Sequence, residues 1–111
     1  MEEALEQNRA LWNLFEAAAC LKDREECARF FRDLCTLGEL EAMAERWEVA
    51  QMVAQEIPYR KIHELTGVSS ATITRIAHWV NHGEGGYQLM LKRRGAGSVP
   101  ARQKKGKSVW A

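Results

Sequence analysis

The sequence predicts an all-α protein of six short helices, and three observations carry that expectation. Apolar residues recur at three- and four-residue steps over most of the chain, the period of a helix with one buried side. Extended alternation of β-branched residues is missing. Only two prolines occur in the 111 residues, and glycine is sparse before Gly83. With 46% hydrophobic and 28% charged residues, a chain of this length suits one folded domain with a modest core.

The first helix is expected over Glu3–Leu21. Leu5, Leu11, Trp12, Leu14, Phe15, Ala18 and Ala19 give it a broad apolar face, and Glu2, Glu3 and Glu6 suit the positive end of its dipole. Asp23 can cap a second helix, Arg24–Cys35, with Glu26 placed as in a capping box. A break at Cys35–Gly38 precedes the third and longest helix, about Glu39–Gln55. Its apolar residues Leu40, Met43, Ala44, Trp47, Ala50 and Ala54 are widened by Val49, Met52 and Val53. Pro58 blocks any continuation, because it lacks an N–H and restricts Ile57.

From Pro58 to Val80 the pattern is of two short helices about a tight turn. Ile62 and Leu65 face inward on the first. Gly67 supplies the turn, where a positive φ is cheap only without a Cβ. Ser69 or Ser70 caps the second helix, whose inner positions are Ile73, Ile76, Ala77 and Val80. Its early outward positions, Ser70, Ala71, Thr72, Thr74 and Arg75, are short hydrogen-bonding groups, a methyl and a guanidinium. Such a surface suits a DNA major groove, as in a helix-turn-helix. His63, four residues before Gly67, must point outward or loosen the crossing of the two helices. Gly83, Gly85 and Gly86 then break the chain. Tyr87, Leu89, Met90 and Leu91 suit a sixth helix or a packed turn.

Charge is strongly segregated. Before Gly85 there are 9 Lys/Arg against 15 Asp/Glu; from Gly85 onward there are 7 Lys/Arg and no acid. An acidic body with a basic end can repel nucleic acid except at a chosen face. We expect a folded domain over residues 1–94, with the helix-turn-helix at 58–80, and a flexible basic tail over 95–111. Lys92, Arg93, Arg94, Arg102, Lys104, Lys105 and Lys107 would add sequence-independent affinity for phosphates.

The acidic start, M-E-E-A-L-E, suits no signal peptide. No segment approaches the ~20 apolar residues of a membrane span. Cys20, Cys27 and Cys35 are odd in number and lack C-x-x-C spacing, so small buried thiols in a reducing cytosol are expected. His78 and His82 share one helical face at metal-ligand spacing, but no third ligand accompanies them, and no metal is expected. No nucleophile–base pair, phosphate loop or carboxylate pair stands out; neither catalysis nor a cofactor is expected. Six helices with wide apolar faces also exceed what ~90 residues can cover. Two copies would cover them, with Trp12, Phe15, Phe30 and Phe31 at the interface.

T-L-G-E-L-E-A-M-A-E-R (Thr36–Arg46) and R-K-I-H-E-L-T-G-V-S-S-A-T-I-T-R (Arg60–Arg75) resemble the Trp repressor superfamily. The continuation V-N-H-G-E-G-G-Y-Q-L-M-L-K-R (Val80–Arg93) is similar to its YerC/YecD-type members. The resemblance implies an intertwined, all-helical homodimer of the Trp-repressor type, with a reading head in each chain. It further implies a bacterial DNA-binding transcriptional regulator, with repression the expected sign, that is cytoplasmic and associated with the nucleoid.

On that resemblance Arg46 and Arg75 match two arginines that enclose the effector tryptophan, and Thr36 falls at a backbone turn lining the same pocket. Ile76 stands in place of a glycine, and Trp79 in place of a serine that contacts the ligand's amino group. Both add bulk where an amino acid must enter, so tryptophan is not expected to bind, and no other effector is identified. The pocket could instead be filled from within. An indole of Trp79 near Arg75 and Arg46 would contribute roughly 0.5–2 kcal/mol as a cation–π contact; the alternative is ordinary packing of Trp79 between head and body.

The expected DNA contacts are Arg60 and Lys61 on phosphates, Ser69 and Ser70 at a helix N-terminus, Ala71, Thr72 and Thr74 in the groove, and Arg75 in either role. Few long donors face the groove, so DNA shape and bridging water would carry much of any specificity. The competing reading is a helical dimer that acts as a protein-interaction module without specific DNA binding.

Overall fold

A computed structural model describes residues 1–94. Every regular element among them is helical: α1 (Glu3–Glu6), α2 (Arg9–Ala19), α3 (Arg24–Leu34), α4 (Leu37–Ala54), α5 (Tyr59–Thr66), α6 (Ser70–His82) and α7 (Gly86–Arg94). The all-α class is as expected, with seven helices in place of six. The basic segment expected over 95–111 lies outside the described residues.

The additional helix arises at Asn8, within the span read as one helix from Glu3 to Leu21. Asn8 has an extended backbone, and its Oδ1 accepts the Leu11 N–H at 3.0 Å. A short amide side chain competes with the helix for its own backbone donors, so it starts a new helix instead of continuing the old one. The Trp12 indole N–H donates to the Leu5 carbonyl at 2.9 Å and ties the two pieces together.

Cap chemistry sets the next two starts. Asp23 accepts from Glu26 N–H at 2.9 Å, and the Glu26 carboxylate accepts the Lys22 N–H, also at 2.9 Å. At the head of α4, Thr36 and Glu39 form a reciprocal capping box. The Thr36 hydroxyl accepts from Glu39 N–H at 3.1 Å, and the Glu39 carboxylate accepts from Thr36 N–H at 2.8 Å. The helix therefore begins two residues earlier than its apolar pattern suggests.

Residues Met1–Leu40 and those from Glu41 onward are two compact units. In the first, α1, α2 and α3 hold no buried residue. Cys20 is exposed and Cys27 and Cys35 are half-buried. That corrects the expectation of buried thiols: no residue of α1, α2 or α3 is fully buried.

The second unit contains the core. Val49, Ala50 and Met52 of α4 meet Ile62 of α5, Val68 of the following turn, Ile73, Ile76 and Val80 of α6, and Leu91 of α7. Helix α4 ends in a Schellman arrangement: Ile57 N–H donates to Met52 O at 3.1 Å, and Glu56 N–H to Val53 O at 2.9 Å. Glu56 takes the left-handed φ of 63° that this closure needs. That is a costly position for a residue with a Cβ, and the side chain of Ile57 packs on the core beside it.

Between α6 and α7 the chain turns at Gly83. A Cβ there would lie 2.5 Å from the Trp79 carbonyl oxygen, closer than real Cβ atoms approach backbone. Gln88 of α7 donates its Nε2 hydrogen to the Val80 carbonyl at 2.7 Å and latches the two helices.

Candidate nucleic-acid interface

The pair α5 and α6 is fixed from inside by Ile62 and Ile73, both fully buried. Gly67 closes α5 in the left-handed region, at φ 78°, with its N–H donating to His63 O at 2.8 Å. Thr66 reinforces the turn: its hydroxyl donates to Ile62 O at 2.7 Å and accepts from Val68 N–H at 3.1 Å. His63 points outward, with Nδ1 2.7 Å from the Val68 carbonyl oxygen. A carbonyl can only accept, so Nδ1 carries the hydrogen. The imidazole thereby braces the turn and does not wedge the helices apart.

Of the two serines that could cap α6, Ser69 does so, accepting from Thr72 N–H at 3.2 Å. Ser69 Oγ also donates to Thr72 Oγ1 at 3.0 Å. Ser70 is thus the first residue of the helix and is exposed. Arg60 and Lys61, in the first turn of α5, are exposed. So are Ser69, Ser70, Ala71, Thr74 and Arg75; Thr72 is half-buried. Helical spacing places Ala71, Thr74, Arg75, His78 and His82 along one outward stripe of α6, and all five are exposed. The two imidazoles were outside the sequence-predicted contact set. Their four-residue spacing was the signal that could have added them to this stripe.

The residues of the expected effector pocket are not alike in placement. Ile76, 5% exposed, belongs to the core. Trp79 is 51% exposed, and its ring lies edge-on to His78 with centroids 5.1 Å apart. Arg46 is exposed on α4, and Arg75 is exposed on α6. Thr36 caps α4 in the first unit. Beside Trp79 is an almost wholly apolar cleft of about 490 Å³, lined also by Trp47, Gly83, Tyr87 and Met90. Trp47 and Tyr87 stack nearly parallel, with centroids 6.4 Å apart. Burial holds the Tyr87 phenol above its ordinary pKa, and the positive charge of Arg46 opposes part of that rise.

An α-helical unit with a capped pair of helices, closely turned and presenting small polar groups on the second, defines a class: helical proteins carrying a potential DNA-reading head. Comparison with known proteins narrows it. The profile of the Trp repressor protein family matches residues 9–95, and the chain belongs to that family. It is 44% identical over 87 residues to the YerC protein of Bacillus subtilis strain 168, covering 78% of this chain and 84% of that one. It is 38% identical over 74 residues to a Trp operon repressor homolog of Chlamydia caviae, covering 65% and 73% respectively. The crystal structure of a TrpR-like protein from Eubacterium eligens superposes with a TM-score of 0.78 at 38% identity, covering 85% of this chain and 96% of that one. At the level of the family, the chain is a DNA-binding regulator. No helix among the described residues is long and apolar enough to cross a membrane.

Proposed function

We propose that the protein is a sequence-specific transcriptional regulator, most simply a repressor, that acts as a homodimer in the bacterial cytoplasm and binds DNA through α5 and α6. The observation that carries this reading is the division of α6 into two sides. Ile73, Ile76, Ala77 and Val80 anchor it in the core, while Ser70, Ala71, Thr74 and Arg75 are exposed together at its start. A helix held that way can enter a major groove without disturbing the domain. Ser69 leaves the N–H groups of Ser70 and Ala71 facing outward at the positive end of the helix dipole, where a phosphate oxygen fits. Arg60 and Lys61 extend the phosphate contacts onto α5.

Dimerisation is supported by the first unit. Trp12 and Phe15 are 38% and 41% exposed, and two amphipathic helices, α2 and α3, without a buried residue need a second surface. Two heads related by a twofold axis would meet half-sites about 34 Å apart. Tryptophan dependence is not part of the reading. Where the family resemblance has glycine this chain has Ile76, and that side chain is committed to the core. The domain over 1–94 carries specificity, and the basic segment 95–111 adds affinity for phosphates of any sequence.

Selection of bound duplexes from a random pool tests this. A recurrent, roughly palindromic site is expected, bound equally with and without tryptophan. Each of Arg60→Ala and Lys61→Ala should lower affinity at all sequences and reduce the log–log salt slope by about 0.9 for each copy, about 1.8 for the dimer. Recovery of no preferred sequence would favour the protein-interaction module instead.

A further inference from the structure

We infer that His78 and His82 form a binding site for an imidazole-preferring first-row dication such as Ni²⁺, Cu²⁺ or Zn²⁺ on the outward stripe of α6. The two ring centroids are 5.1 Å apart and the rings are tilted by 41°. An ion held by one nitrogen of each ring at about 2.1 Å lies about 3.2 Å from each ring centre; a tetrahedral angle at the ion then separates the centres by about 5.2 Å. The separation across one turn of α6 therefore accommodates a shared ion. Both side chains are exposed, and the His78 ring also lies edge-on to Trp79.

The remaining chemistry follows from the donor set. Imidazole nitrogen favours copper, nickel and zinc over magnesium and calcium. Among the described residues no third His, Cys, Asp or Glu completes the cluster, so water fills the other positions and the ion exchanges readily. The third histidine of the chain, His63, is set apart because it lies on α5 with no second imidazole one helical turn away. The site depends on α6 alone and stands whether or not the head reads DNA.

Titrating Ni²⁺ into the full, reduced chain and following its three histidines by NMR is the test. Paramagnetic broadening of His78 and His82 together, saturating at one equivalent per chain while His63 stays sharp, is expected. His82→Ala should weaken the response of His78 by about tenfold or more, and His82→Gln should do the same if the alanine variant folds poorly. Parallel broadening of all three histidines would overturn the site. So would a His78 response unchanged by either substitution, or thiol resonances responding while the histidines do not.

Discussion

Residues 1–40 and residues 41–94 are both well-formed helix, yet only the second set buries a side chain. In the first, Asn8 and Asp23 cap α2 and α3 with hydrogen bonds of 3.0 and 2.9 Å, and nothing in those helices is buried. In the second, Val49, Ala50, Met52, Ile62 and Ile73 are fully shielded from water. Helix formation is thus decided locally in both units, whereas tertiary stability within one chain is found in one of them. Isolated helices of eleven residues are marginal in water. Those of the first unit bury no residue that would add to that margin.

The difference can be broken at several points. Ile73→Ala should cost about 2–5 kcal/mol, because it opens a cavity in the only core of the described residues. Chemical denaturation should show that loss equally at low and high protein concentration. Phe15→Ala should act differently. Its uncovered part would contribute about 1–2 kcal/mol per copy and twice that in a symmetric pair. Sedimentation should show a weakened dimer, and the melting temperature of the variant should depend more steeply on concentration. If Phe15→Ala instead lowers stability without any dependence on concentration, the first unit is stabilised by its own chain.

A smaller effect concerns Tyr87, in the second unit. Its folded-state pKa is raised, mainly by burial, above the ordinary value of 10.0. The folded state therefore holds its proton more tightly than the unfolded state does. The associated stability is complete below pH 10 and is lost as pH rises from there through the folded pKa. Tyr87→Phe should flatten that part of the stability–pH profile, as followed by denaturation at stepped alkaline pH.

Much of the second unit was legible because its signals are local and agree with one another. Pro58, Gly67 and Ser69 mark the ends of α5 and α6, and Ile62, Ile73, Ile76 and Val80 mark their inner sides. Asn8 was hidden inside an apolar period that continues across it, and periodicity outweighed the cap. Thr36 and Glu39 had the spacing of a capping box, yet Thr36 drew attention as a pocket residue. The left-handed Glu56 carries no residue-type signal at all, since glycine would be the ordinary choice there. Trp79 was unreadable for a different reason. Whether an exposed indole is covered depends on a surface that the chain's own pattern does not specify. The same holds for the candidate site: exposure of Arg60, Lys61, Ser70, Thr74 and Arg75 followed from helical spacing, while the use of that exposure depends on a partner.

Gly83 carries a consequence for how this sequence can change. The other glycines among the described residues either sit in open space or serve a positive φ. At Gly83 the obstacle is a carbonyl oxygen of the preceding helical turn, which no rotamer of a neighbour can move aside. Even the smallest heritable step, to alanine, would have to shift the backbone joining α6 to α7. Sequence drift in this lineage is therefore expected to pass on either side of that residue and leave it in place, a fixed point around which the reading helix and its successor vary.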